Sequence, residues 1–169
     1  MATLELSVAS ALSAQYSGIN NLGLAVFDLE EREPLEFASG KGSGMADTLL
    51  SQQRTLAASA SEILDLINGS LLDSINLPLA LRRIKVIHVR ASVSNINDVV
   101  IGGAGAGGLT GPFVNNTNTY NIPPGGAFLA VHPGVGWLTY DVSEALFKVA
   151  NGGAGTSVIY DLEIAGETP

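Results

Sequence analysis

Residues 157–164 read SVIYDLEI, and their alternation decides the fold class. Every second residue from Val158 to Ile164 is apolar, whereas the intervening positions carry Ser, Ile, Asp and Glu. A period of two is typical of a half-buried β-strand, because successive side chains of a strand point to opposite faces. The stretch therefore predicts a mainly β protein.

The same pattern extends outward from this strand. Arg83–Ala91 carries apolar residues in both phases, which predicts a central strand covered on one face by a second sheet and on the other by a neighbouring subunit or loop. Further strands are predicted at residues 3–8, 22–29, 34–39, 45–58, 61–67, 97–101, 118–122, 126–131 and 145–151. Residues 45–67 could instead be helical, because residues 57–66 are rich in helix formers. Many short strands separated by Gly/Pro turns predict a single-domain, jelly-roll-like β-sandwich over residues 46–169.

Residues 1–45 differ from the rest of the chain. They contain an acidic run at residues 28–33 and the glycine-rich segment SGKGSG at residues 39–44. This composition predicts an extended N-terminal arm or a strand-exchange segment. An ordinary edge hairpin followed by a loop remains the alternative.

Composition limits the classes of partner. Only 14% of the 169 residues are charged, against roughly 25% in an average soluble domain, which predicts a surface covered by further copies of the chain or by another protein. The net charge of -8 argues against nucleic acid, since phosphate neutralisation needs a basic surface. We also find no signal-peptide pattern and no apolar stretch long enough to span a membrane, so we expect synthesis in the cytoplasm and no membrane partner.

One glycine-rich motif could indicate an enzyme. Residues 103–108, GAGAGG, match the G-x-G-x-x-G pattern of dinucleotide-binding turns and follow the strand-like run VVI. That turn needs a helix after its third glycine and an acidic residue about 20 positions later. Gly111-Pro112 and the Asn/Thr cluster that follows exclude the helix, and residues 123–128 contain no carboxylate. We therefore predict a flexible loop and no cofactor.

The remaining candidate chemistry is weak. His88 and His132 have no metal-ligand spacing with each other, and no G-x-S-x-G motif is present. The acidic run at residues 28–33 has oxygen ligands for calcium but lacks the EF-hand order. We therefore predict no catalytic residues and no metal site. Aromatic side chains are few, and they are the predicted partner contacts: Trp137, Phe113, Tyr16, Phe27 and Phe37.

Six stretches in the same order resemble a family of small tailed-bacteriophage proteins, mostly uncharacterised. They are RTLAASASE at 54–62, RIK at 83–85, NDVVIGGA at 97–104, GPF at 111–113, PGG at 124–126 and VANGGAGTSVIYD at 149–161. The resemblance covers about residues 50–166 and leaves residues 1–45 outside it. It implies a structural protein of the virion and supplies no catalytic residues.

The chain also resembles capsid decoration (cement) proteins in being small, acidic, free of cysteine and predicted to form a β-sandwich. We therefore expect a decoration protein that acts by binding alone and is not an enzyme. Its expected partners are the major capsid protein and further copies of itself, as trimers or dimers, at the capsid surface of the virion after synthesis in the host cytoplasm. The alternative is a tail or baseplate component, or a glycan-binding receptor module that uses Trp137. A glycan hydrolase, which needs a pair of carboxylates in a cleft, is a weaker third hypothesis.

Overall fold

The structure, a computed structural model, describes residues 3–20, 23–139 and 144–169, and of residues 16, 18–20, 23–25 and 27 it describes the backbone alone. In these ranges the chain forms β-strands and one short 3₁₀ turn, Gly111–Phe113. No helix in the same ranges is long and apolar enough to cross a membrane. The prediction of a mainly β protein is confirmed.

The strands follow the predicted order closely. They are β1 (Leu6–Asn20), β2 (Gly23–Ser39), β3 (Met45–Ala46), β4 (Thr48–Leu56), β5 (Ser61–Asp65), β6 (Arg83–Ala91), β7 (Val99–Gly102), β8 (Gly107–Gly108), β9 (Thr119–Ile122), β10 (Ala127–Val131), β11 (Trp137–Leu138), β12 (Glu144–Asn151) and β13 (Val158–Glu167). Three strands, β3 to β5, occupy the segment at residues 45–67 for which a helix was the alternative.

Two five-stranded sheets contribute to one hydrophobic core. The first has the strand order β10-β6-β13-β4 with β11 beside β6, and the second has the order β5-β12-β7-β9 with β8 beside β12. Ile87 and Leu162 of the first sheet belong to the same buried cluster as Ile101 and Phe147 of the second. The alternation in β12 and β13 arises because each strand has one face in this core.

Strand β6 is buried on both faces, as its two apolar phases predict. Ile87 and Val89 lie in the shared core, whereas Val86 lies in a second cluster on the opposite face of the sheet. That second cluster is completed by Leu6 and Phe37 from the N-terminal part of the chain. Within one copy, the outer cover of β6 is therefore the chain's own N-terminal segment.

Strands β1 and β2 form a long two-stranded ribbon, which we call the ribbon. They pair antiparallel without a register shift, from Leu6 opposite Phe37 to Asn20 opposite Gly23. The two strands predicted at residues 22–29 and 34–39 are thus one strand. The acidic run at residues 28–33 lies inside that strand rather than in a turn between strands.

Candidate partner-binding surface

The register of the ribbon sorts its side chains into two faces. Residues paired across an antiparallel ladder point to the same side, and successive residues alternate between sides. One face carries the pairs Leu6–Phe37, Val8–Leu35, Ser10–Glu33, Leu12–Glu31 and Ala14–Leu29. The opposite face carries Ser7–Glu36, Ala9–Pro34, Ala11–Arg32, Ser13–Glu30 and Gln15–Asp28. The first face is the more apolar one, and we call it the apolar face of the ribbon.

The root of the ribbon, formed by the pairs Leu6–Phe37 and Val8–Leu35, uses this face to dock on the first sheet. Phe37 is only 4% exposed and shares a buried cluster with Val86 and Ala165. Phe37 was predicted to contact a partner, but in the structure its contacts are made within the chain. The root therefore anchors the ribbon to the sheets.

Beyond the root, the described chain covers little of the ribbon. Every side chain described at residues 9–17 and 26–34 is exposed, except for the half-buried Leu29. Leu12, on the apolar face, is 56% exposed. At about 3.4 Å per residue, the part of β1 beyond the root extends for roughly 40 Å. Apolar surface presented in this way is available to another protein.

Charge is divided unequally between the two strands of the ribbon. β2 carries five acidic residues and Arg32, whereas the sequence of β1 contains no charged residue. Gln15 bridges the strands by donating to the Asp28 carboxylate at 2.8 Å. The ribbon is therefore negative overall, with its charge concentrated on one strand.

A buried lysine fixes the loop at residues 40–44, which connects β2 of the ribbon to β3 and which we call the return loop. Lys85 of β6 is fully buried, and its Nζ donates to the carbonyl oxygens of Gly42 and Gly134, both at 2.8 Å. The Glu167 carboxylate accepts the backbone N–H of Gly42 at 2.7 Å and lies 3.8 Å from Lys85 Nζ. Burial lowers the pKa of Lys85, and the charge of Glu167 opposes that shift. In the same loop, Lys41 donates to the Pro169 carbonyl oxygen.

The sequence alone did not identify this role for Lys85. The available signal is a lysine between Ile84 and Val86 in a strand that is otherwise apolar. A register shift between β6 and β13 leaves Lys85 without an opposite residue. The shift turns the Lys85 side chain away from the core and toward the two loops that contain Gly42 and Gly134.

The glycine motif at residues 103–108 forms a turn that ends in β8 and is closely packed at Gly103 and Gly108. After Gly108 comes only the three-residue 3₁₀ turn, so the prediction that no helix follows the motif is confirmed. Just before it, Gly102 has φ of +87°, and a Cβ on this residue would lie 2.5 Å from the Asn118 carbonyl oxygen. Gly105 donates its N–H to the Asn116 carbonyl oxygen at 2.9 Å. The glycines here permit left-handed backbone and close contact between chain segments.

The remaining predicted aromatic contacts lie in different environments. Phe113 is 6% exposed and stacks between Phe128 and Phe147, with ring centroids 5.9 and 6.2 Å away, so it belongs to the core. Trp137 is half-buried, packs against the core and meets the His132 ring edge-on at 5.4 Å. The structure does not bring these two rings and Phe37 together into one surface.

Tyr16 and Phe27 pair with each other through their backbones in the distal ribbon. Their side chains lie outside the part of the chain that the structure describes, and their predicted role stays a prediction.

Titratable groups form small ion pairs, both between the two sheets and between paired strands. Arg54 makes a forked contact with Glu62, with an Nη2–Oε2 distance of 2.5 Å, and the Tyr160 hydroxyl donates to the same carboxylate. His88 and Glu163 form a second pair at 3.0 Å. In the described ranges, no group of three or more His, Asp or Glu side chains is arranged to hold a metal ion.

No protein-family model matches this chain, and neither the curated proteins nor the solved structures contain a significant match to it.

Proposed function

We propose that this chain is a structural protein of a tailed-bacteriophage particle that decorates the capsid and stabilises the head by binding the major capsid protein. The observation that carries the proposal is the ribbon, whose apolar face continues beyond its docked root and is exposed at Leu12. The sequence resemblance at residues 50–166 supports the placement in a virion. In this proposal the two sheets form a β-sandwich domain, and residues 1–45 form the arm.

The binding would use surface burial rather than chemistry. The root is fixed by packing around Phe37 and by the contacts of Lys85 with the return loop. A strand pair held at its root loses less conformational freedom on binding than a free peptide would, which favours affinity. The acidic residues of β2 favour a capsid surface with basic side chains around an apolar groove.

A shortened ribbon provides the sharpest test. Residues 9–34 are replaced by Asn-Gly, which joins Val8 to Leu35 through a two-residue hairpin turn. The cut falls at this pair because Pro34 has no backbone N–H to donate at the end of a hairpin. The root pairs and the buried cluster around Phe37 stay in place, so the sheets are expected to keep their stability.

Heads purified from a phage mutant that lacks this chain are then mixed with the intact and the shortened protein. We expect the intact chain to saturate the heads in a sedimentation assay and to raise their resistance to heat, and the shortened chain to do neither. Failure of the intact chain to bind heads would overturn the proposal. Equal binding by the shortened chain would show that attachment does not use the ribbon.

The same assay with purified tails tests the alternative role in a tail or baseplate. Binding to tails but not to heads would replace the capsid proposal with the tail one.

A further inference from the structure

Strand β1 has one open edge. It pairs with β2 over all of Leu6–Asn20, and within the described ranges its other edge makes no ladder hydrogen bond. At alternate residues, the backbone N–H and C=O groups of that edge point outward, as they do along any unpaired strand. Such an edge is a template for a strand from another chain.

The two outer edges of the ribbon are protected to different degrees. Natural proteins guard open edges with charged residues, proline or bulges. β2 carries Pro34 and six charged side chains, whereas β1 has no charge, no proline and no register shift. The unprotected edge is thus the one that can accept a continuous ladder.

We propose that β1 of one chain pairs antiparallel with β1 of a second copy across a two-fold axis. Along the ribbon the product has four strands in the order β2-β1-β1-β2, and β3 pairs with each β2 only at its C-terminal end. Charge selects a second copy as the occupant, because two uncharged β1 edges meet without repulsion while the acidic β2 strands stay at opposite outer edges. A basic partner would instead be expected to approach the β2 side.

Stability of the ribbon supports the same arrangement. An isolated two-stranded hairpin is marginally stable in water, whereas additional strands with a common apolar face make a sheet self-supporting. Most of the ribbon gains little from the two large sheets, since its described side chains at residues 9–17 are exposed. Pairing of two ribbons would supply the missing strands and leave the apolar face available for the capsid.

A groove beside the root is consistent with this geometry. It runs along Leu6, Ser7, Val8 and Ala9 of β1 and over Val86 and Leu129 of the first sheet, and no residue of β2 lines it. Four consecutive residues of β1 line the groove, so it follows the edge of the strand rather than one face. In full antiparallel overlap, the far end of the partner's β1 reaches this groove.

Full overlap of the fifteen residues also fixes the register. Leu6 then lies opposite Asn20 of the partner subunit, and Ser13 lies on the two-fold axis opposite its own copy. Residues directly opposite in an antiparallel ladder have Cα atoms about 4.5–5.5 Å apart. That separation allows a disulfide.

Because the chain contains no cysteine, single cysteines can report this register directly. Ser13→Cys is compared with Glu30→Cys, which sits at the same rung but on the acidic strand. Two Glu30 positions would be roughly 14 Å apart across the four-stranded sheet, given about 4.8 Å between strands. Under mild oxidation we expect a reducible dimer from Ser13→Cys and none from Glu30→Cys. Sedimentation of the unmodified chain is expected to give a dimer.

A mixture of two variants tests the antiparallel direction. Ala9→Cys and Ser17→Cys should form a mixed disulfide with each other, and neither should link to itself. A monomer at all concentrations, or cross-linking of Glu30→Cys as strong as that of Ser13→Cys, would overturn the proposal. Heads that still bind a monomeric chain would leave the capsid proposal intact while this one fails, so the two are tested separately.

Discussion

The Nζ atom of Lys85 lies 2.8 Å from the carbonyl oxygen of Gly42, and this contact joins the middle of a sheet to the return loop of the ribbon. The loop has the composition of a flexible linker, yet a fully buried ammonium group and the Glu167 carboxylate hold its backbone on both sides. The position of the ribbon therefore depends on the charged side chain of Lys85 as well as on the packing of the root.

Replacing that side chain should destabilise the protein strongly. Lys85→Met keeps the aliphatic volume but leaves the Gly42 and Gly134 carbonyl oxygens without their donor, while Glu167 keeps its contact with Arg83 Nε at 3.2 Å. A buried polar group left without its hydrogen-bond partner costs about 1–3 kcal/mol, so the two carbonyl groups together should cost a few kcal/mol. Urea unfolding should show this loss, and hydrogen exchange should show faster exchange at Gly42. Arg90→Met removes a cation from an exposed pair and should change stability little.

Acid should weaken the protein in part through Glu62. Burial raises the pKa of Glu62, but hydrogen bonds from Arg54 and Tyr160 outweigh burial and hold it below its usual value of 4.5. A carboxylate with a lowered folded-state pKa stabilises the fold fully above its unfolded pKa, and this contribution is lost as the pH falls through the folded value. The free energy of unfolding should therefore decline below about pH 4.5.

Glu62→Gln should lower stability by about 1.5–3 kcal/mol at pH 7, because it removes charge-assisted hydrogen bonds. The variant should also show a shallower decline in acid, as measured by urea unfolding at a series of pH values. Glu31→Gln, at an exposed position in the ribbon, controls for the loss of one carboxylate. An identical acid profile for Glu62→Gln and the unmodified chain would contradict the assignment.

Two glycines in or next to the motif allow the cost of a left-handed backbone to be separated from the cost of a steric clash. Gly102 and Gly105 both have positive φ, but a Cβ at Gly105 meets only open space, whereas one at Gly102 lies 2.5 Å from a backbone oxygen. Gly105→Ala should cost about 1–2 kcal/mol from the left-handed conformation alone. Gly102→Ala should cost about 1–3 kcal/mol more because neighbouring backbone must move. Thermal unfolding measures both, and equal losses would show that the loop yields to the added methyl group.

Two apolar residues of the ribbon should separate anchoring from binding. Phe37→Ala removes a buried ring from the root and should cost about 3–5 kcal/mol of local packing, seen as faster hydrogen exchange in β1 and β2. Leu12→Ala alters an exposed position and should leave that exchange unchanged. If the apolar face binds heads, Leu12→Ala should weaken that binding about tenfold, as expected for a loss of about 1.4 kcal/mol. If Leu12→Ala speeds hydrogen exchange in the ribbon but leaves binding to heads unchanged, the apolar face beyond the root is not a contact surface.

The sequence predicts most strands but not their assembly. Alternation predicted the bounds of β12 and β13 to within a few residues. It did so because one face of each strand lies in the core while the other is only half-buried. The continuity of β2 was missed, since a dense acidic run resembles a turn. In an exposed ribbon both faces reach water, and charged residues can occupy consecutive strand positions without desolvation. The order of the strands within each sheet could not be predicted from local sequence patterns. It depends on pairings between distant segments, such as that of β13 with β4.

The candidate surface could be predicted only in part. The composition of residues 1–45 indicated an unusual N-terminal segment. It did not indicate that the root of this segment packs against the first sheet. Phe37 and Phe113 have the residue type of partner contacts, but the same type fills cores, and only their burial identifies them as internal packing. The role of Lys85 required the position of Gly42, which lies 43 residues away in the chain.

The fixed return loop also determines how the molecule carries mechanical load. A pull on the tip of the ribbon travels along β2 to Gly42, where Lys85 and Glu167 receive it. These two residues belong to β6 and β13, which are adjacent interior strands of the first sheet. Tension therefore enters the sheet at its most heavily bonded strands rather than at an edge that could peel away. In this geometry, the ribbon is attached to interior strands of the first sheet rather than to an edge strand.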